Sequence, residues 1–281
     1  MSKPHAAAPR VSRQILSWFR WYIRRYLRKS FNTVGVAQPI PPALPEAVAD
    51  NEAAIVVYLN HASWWDPLVS MHLAEQLMPT RTLYAPFDAE ALSRYPIFEK
   101  LGFFGVDQES RRGAAQFLRT ARAVFDTSGG SIWMTPEGQF VDSRQHDADF
   151  RPGLAHLVEH LAREGRKGYV LPLAIEYPFW EEKLPEALCR FGDPIALKDY
   201  PELDKAGWDV MLCERLRSTQ AELSELSIAR DTSAFRILIG GEAGVGGIYE
   251  PIRWLHAKLT GQAYRAAHSE KWSEARPKQS T

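Results

Sequence analysis

Residues Ala54-Ile55-Val56-Val57-Tyr58-Leu59-Asn60-His61-Ala62-Ser63-Trp64-Trp65-Asp66-Pro67 decide how the chain is read. The first six are apolar and rich in β-branched types, short enough for a strand and apolar enough to be buried on both faces. A histidine and an aspartate follow, five positions apart, and Pro67–Leu77 then has helical character. The alternation continues outward from there. Arg81–Phe87 reads as a strand, Tyr95–Leu101 as a short helix, Phe103–Val106 as a strand and Arg111–Phe125 as a helix. Ser131–Met134 is a further strand, 153–164 a helix, 169–177 and Leu188–Phe191 strands, and 205–227 a long helix. Strands alternating with helices of this length predict an α/β domain, its mixed and largely parallel sheet flanked by helices.

At 281 residues, 45% apolar and 24% charged, the chain has the balance of a folded protein and room for one large domain or two small ones. Its 34 basic and 34 acidic side chains cancel, which argues against a nucleic-acid partner, since such proteins carry a basic excess. Two cysteines, Cys189 and Cys213, make no disulfide scaffold and fit a reducing compartment. No run of eighteen apolar residues suggests a spanning helix, and arginines interrupt the apolar stretch near the start where a secretory signal would lie.

The charge is unevenly spread. Arg10 to Lys29 holds seven basic residues and no acidic one, interleaved with aromatic and aliphatic types. On a helical period Ile15, Phe19, Tyr22, Ile23 and Tyr26 share one side, with Arg13, Arg20, Arg24 and Arg28 on the other. A basic, aromatic, amphipathic helix of this kind is expected to lie on an anionic membrane surface, in preference to packing its stripe on the protein's own core. Four prolines (Pro39, Pro41, Pro42 and Pro45) then bar a helix and suggest an extended linker. The expected division is therefore 1–37 as an interfacial helix, 38–52 as a Pro-rich linker, 53–230 as the α/β domain and 231–281 as a C-terminal part. In that last part a glycine-rich stretch from Gly240 to Gly247 follows what reads as a helix. It lacks the context of a nucleotide loop and is expected to be a hinge before an amphipathic segment at Ile248–Leu259.

Chemistry concentrates where strands end. His61 and Asp66 would not meet on one regular helix face, but a tight turn between strand and helix brings them together. Asp66 then holds one imidazole nitrogen and leaves the other as a general base. Ser63 lies between them without the glycine-flanked setting that exposes a nucleophile. No second histidine or cysteine stands nearby at ligand spacing, so no metal is expected. Taken alone, the pair reads first as a helix cap beside an ordinary loop histidine. Later stretches tip the balance. Thr135-Pro136-Glu137-Gly138-Gln139 closes the next strand, Phe150-Arg151-Pro152-Gly153 opens a helix, and Val170-Leu171-Pro172-Leu173-Ala174 lies in a strand.

An asparagine–histidine–x4–aspartate block, a proline–glutamate–glycine turn, a basic-x-glycine step and a proline-bearing strand, in that order, resemble the glycerolipid acyltransferases over about residues 54–177. The resemblance implies direct acyl transfer from a thioester to a hydroxyl, with His61 as general base and Asp66 as its orienting carboxylate. It implies further that Glu137 and Gly138 shape the acceptor site, that Pro172 is the proline of the last motif, and that no cofactor is needed beyond acyl-CoA or acyl carrier protein as co-substrate. Asn60 and main-chain amides are candidate oxyanion donors. Where the family carries phosphate-binding arginines, this chain has Gln108 and Phe140. Arg111, Arg112, Arg144 and Arg151 are candidate replacements, Arg151 first because it matches the basic-x-glycine step. Trp64 and Trp65 are candidates either for the wall of an acyl pocket or for core anchors. The expected protein is a peripheral enzyme on the cytoplasmic face of the inner membrane, acting on a lysophospholipid-like acceptor. A glycolipid or polyprenoid glycoside acceptor is the alternative; a thioesterase and a non-catalytic lipid-binding module are the others.

Overall fold

The computed structural model describes residues 7–107, 110–145 and 147–240, and among these nine strands form one sheet. In chain order they are β1 (Thr33–Ala37), β2 (Ala54–Leu59), β3 (Thr82–Asp88), β4 (Phe103–Val106), β5 (Gly130–Met134), β6 (Gly168–Glu176), β7 (Glu186–Phe191), β8 (Ile195–Ala196) and β9 (Phe235–Gly240). The spatial order is β4-β3-β5-β2-β6-β7-β1-β9, with β8 paired to β6. From β4 to β6 every neighbour is parallel, and β7 then turns antiparallel to β6. The sheet is thus mixed and mostly parallel, as expected from the alternation.

Helices cover both faces. On one lie α1 (Arg13–Ser30), α2 (Ala43–Ala49) and α3 (Asp66–Leu77); on the other lie α5 (Arg111–Phe125), α6 (Gly153–Arg163) and α7 (Lys205–Ala229), while α4 (Ala89–Arg94) leads toward β4. The pleat of β2 sets the two cores. Ile55, Val57 and Leu59 face α1 and α3, whereas Ala54, Val56 and Tyr58 face α6 and α7. At the end of the sheet away from the site, buried Arg81 donates to the carbonyls of Val48, Ala53, Gly130 and Asp50. Four main-chain acceptors satisfy a guanidinium that would otherwise be costly to bury.

Three expectations change. Residues 43–49 form α2 in place of an extended linker. Pro42 is its N-cap and Pro45 falls in its first turn, where main-chain N–H groups have no intrahelical acceptor and a proline removes nothing. Residues 33–37 belong to the sheet, β1 pairing with β7 and β9, so no boundary falls after residue 37. Gly240 ends a strand, β9, and does not follow a helix; the glycine-rich and amphipathic stretches from 241 onward lie outside the described residues.

The helix α1 carries a fourth difference. Its stripe packs inward: Ile23 and Leu27 are buried, Ile15, Leu16 and Phe19 pack on the same core, and Arg24 pairs with Glu75 of α3 at 2.7 Å. The next strand needs cover on that face, and α1 supplies it. What α1 leaves to solvent is Trp18, Trp21 and Tyr22 together with Arg25, Arg28 and Lys29. No helix among the described residues is long and apolar enough to cross a membrane.

Candidate active site

The chain leaves β2 at Leu59 and enters α3 at Asp66, and the six residues between form a tight turn at the carboxyl end of the parallel strands. The Asp66 amide donates to the Ser63 carbonyl at 3.1 Å, and the Ser63 amide donates to Asp66 Oδ2 at 3.0 Å. These two bonds close the turn and bring His61 Nδ1 to 2.7 Å from Asp66 Oδ2. The carboxylate is 1% exposed and the imidazole 19%. With a buried acceptor at Nδ1 the ring proton resides there, and Nε2 keeps its lone pair. Ser63 closes the turn through its main chain, and its Oγ accepts from the Trp65 amide at 3.4 Å.

Asp66 has a third partner that the spacing of the motif does not reveal. The Tyr177 hydroxyl, just past the end of β6, donates to Asp66 Oδ1 at 2.7 Å. Burial and the facing carboxylate together push this phenol's pKa up, so it stays protonated and donating.

Glu137 turns out to be a brace. Its Oε2 accepts from the His61 amide at 2.7 Å, and its Oε1 accepts from Arg217 Nη1 of α7 at 2.9 Å. It is 4% exposed and holds the main chain of His61, with no place in the cavity wall. Arg217 also donates to the Ala148 carbonyl and to Gln220 Oε1, which ties α7 to the loop after Glu137. Sequence reading missed Arg217, since nothing in its helix marks it from a neighbour 80 residues away.

A cavity of about 710 Å³ opens beside His61, walled chiefly by Phe87, Val106, Phe117, Leu118, Met134 and Pro136. Its place, at the carboxyl ends of β2 to β5, is where open α/β sheets hold ligands. Gly138 and Arg151 also line it. Gly138 has φ +64°, and a Cβ there would sit 2.2 Å from Arg151 Nε, so the glycine leaves the space the arginine fills. Arg151 has no carboxylate partner among the described residues, and its main-chain amide donates to Pro136. His156 is a further cavity residue that the motif reading passed over. Phe140 lies outside the wall but against His61, ring centroids 4.4 Å apart.

Several candidates stand elsewhere. Asn60 is 1% exposed and both ends of its amide are taken, Nδ2 by the Ile175 carbonyl and Oδ1 by the Ile175 amide. It ties β2 to β6 and, buried between them, does not line the cavity where an oxyanion would form. Arg144 is exposed and grips Asp142 through two side-chain bonds, holding that carboxyl far below its usual range. It does not reach the cavity, and neither does exposed Arg112. Arg111 opens α5, and its side chain, like residue 108, lies outside the described part. Trp65 packs among Tyr26, Phe31 and Trp64 as a core anchor, while Trp64 is half-exposed; neither walls the cavity.

Comparison with known proteins adds to this geometry. The acyltransferase family model matches residues 41–176, a span that runs from α2 through β6 and includes both members of the His61–Asp66 pair. No curated protein matches the chain. Among solved structures, the chain is similar to the 1-acyl-sn-glycerophosphate (LPA) acyltransferase, PlsC, from Thermotoga maritima. That similarity amounts to 17% identity and a TM-score of 0.48 over 74% of this chain and 79% of that one, too loose to carry residue roles across. Residues 41–176 thus carry an acyltransferase domain, and the reaction class is acyl transfer.

Proposed function

We propose that this protein moves a fatty acyl group from an acyl-CoA or acyl-carrier-protein thioester to the hydroxyl of a membrane amphiphile of the lysophospholipid type. The observation that carries this reading is the His61–Asp66 pair at the mouth of a large apolar cavity. Nε2 takes the proton as the acceptor oxygen attacks the thioester carbonyl. The tetrahedral intermediate collapses with loss of thiolate, which recovers that proton from the imidazolium. A thioester is already activated, so a positioned base, worth roughly 10²–10⁴-fold, and correct alignment supply what the step needs. No metal or prosthetic group enters.

An acceptor without a phosphate, such as a glycolipid, is favoured as a second reading by one contact. The Phe140 ring rests on His61, leaving Arg151 as the cation in the described cavity wall. The exposed Trp18, Trp21 and Tyr22 beside Arg25, Arg28 and Lys29 suit an anionic membrane surface, where rings settle at headgroup level. We place that surface on the cytoplasmic leaflet. Purified protein given labelled acyl-CoA or acyl carrier protein, with lysophosphatidate, neutral lysolipids and monoglycosyl lipids in parallel, tests the assignment by product mass. An acylated lipid supports it and names the acceptor class. Free fatty acid alone would replace it with hydrolysis, and an unconsumed thioester would leave only a lipid-binding role.

A further inference from the structure

We infer that Tyr177 is a positioning residue for the base, setting the affinity of His61 for its proton through Asp66; the inference rests on His61 being the base. Asp66 receives three bonds. Oδ2 takes the His61 ring N–H at 2.7 Å and the Ser63 amide at 3.0 Å, and Oδ1 takes the Tyr177 hydroxyl at 2.7 Å. Each donor draws negative charge from the carboxylate, and a weaker carboxylate stabilises the imidazolium less. Tyr177 therefore limits how strongly Asp66 can hold a second proton on the ring, the proton that Nε2 takes in the transfer step.

The contrast with Tyr58 shows what is unusual. Tyr58 is also buried, and its hydroxyl takes the ordinary outlet, the Leu212 main-chain carbonyl at 3.0 Å. Tyr177 spends its hydroxyl on the one carboxylate that orients the base. Its ring is held by Phe31, stacked at 5.5 Å and 29°, and Phe31 in turn meets Trp65 edge-on at 5.0 Å. Phe31 caps the end of α1, so the hydroxyl is aimed by packing that involves α1, α3 and β6 together. The titratable groups facing Asp66 are His61 from the turn, Tyr177 after β6, and the Cys189 thiol on β7, whose pKa burial raises. Glu137 faces the main chain of His61 and not its ring.

Tyr177→Phe keeps the ring and its stack and removes only the donor. The His61 pKa, read by NMR titration of the imidazole Cε1–H, is expected to rise by up to about one unit, a typical spread for such environments. In the transfer assay the acid limb of kcat moves to higher pH by the same amount, so on that limb kcat falls by up to about tenfold, while its high-pH plateau and KM for both substrates are held. In an Asp66→Asn background the same change should leave the His61 pKa where it is, because the route runs through the carboxylate. An unchanged His61 pKa in Tyr177→Phe overturns the inference, as does an equal shift in both backgrounds. The titration needs no substrate, so a wild type that transfers nothing would count against the proposed function while the Tyr177 question is still decided.

Discussion

Replacing Glu137 by glutamine keeps shape and removes the charge from the middle of the brace that holds His61. Wild-type Glu137 accepts two bonds, from the His61 amide at 2.7 Å and from Arg217 at 2.9 Å. A glutamine has one carbonyl oxygen for these two donors, so its NH2 must face the other. If the oxygen stays with His61, Arg217 loses its counter-charge while its side chain remains 12% exposed. Breaking a buried ion pair from one side costs about 3–5 kcal/mol. Arg217 retains the Ala148 carbonyl and Gln220, which places the loss near the lower figure, about 3 kcal/mol. Denaturant unfolding followed by circular dichroism reads it directly. Adding Arg217→Met to the glutamine variant removes the stranded cation and frees the amide oxygen for His61, so the double variant should recover at least ~1 kcal/mol of the summed losses. A loss below about 1 kcal/mol in Glu137→Gln, or strict additivity in the double variant, would refute the brace.

Two further outcomes follow from the same structure. Burial lifts Glu186 from 4.5 to about 7 and lowers His72 from 6.5 to about 4. Native Glu186 holds its proton longer than the unfolded chain does, so its contribution is present at low pH and is lost as pH rises through about 7. His72 acts the other way, its contribution lost as pH falls from 6.5 toward 4; each is worth about 3 kcal/mol. The two nearly cancel between pH 4.5 and 6.5, and Glu186→Gln should expose a stability that climbs with pH across that window; a profile as flat as wild type would contradict this. On vesicles containing phosphatidylglycerol, Trp18→Ala with Trp21→Ala should weaken binding, and salt should weaken what remains by screening Arg25, Arg28 and Lys29. Unaltered affinity would remove α1 from the membrane contact. Deleting the helix is a poorer experiment, since Ile23 and Leu27 belong to the core.

The sequence was legible where one local rule decides the outcome. Alternating apolar runs mark β2 to β7, and the five-residue spacing of His61 and Asp66 requires the turn that the Ser63 bonds close. It was least legible where distant parts meet. Thr33–Ala37 has a glycine at its centre and prolines soon after, so it does not stand out as a strand until its pairing with β7 and β9 is known. Prolines in the first turn of α2 read as helix breakers because their harmless position depends on where the helix begins. The aromatic and basic stripe on α1 reads first as a bilayer contact; the sheet face it covers is what draws it into the core. Asn60 reads as a site residue because it adjoins His61, although its amide bridges two strands. Tyr177 and Arg217 lie 111 and 80 residues from the groups they bind, separations that leave no periodic trace.

The central claim is that His61 accepts the proton of the acceptor hydroxyl. Its most direct test is acyl transfer from labelled acyl-CoA, and from acyl carrier protein, to a total membrane lipid extract by wild type and His61→Ala side by side. The variant removes one partly exposed ring at the cavity mouth and should fold as wild type does. The account predicts a new acylated lipid with wild type and a loss of at least about 100-fold in the variant, the lower end of what a general base supplies. Equal product from both proteins would contradict it.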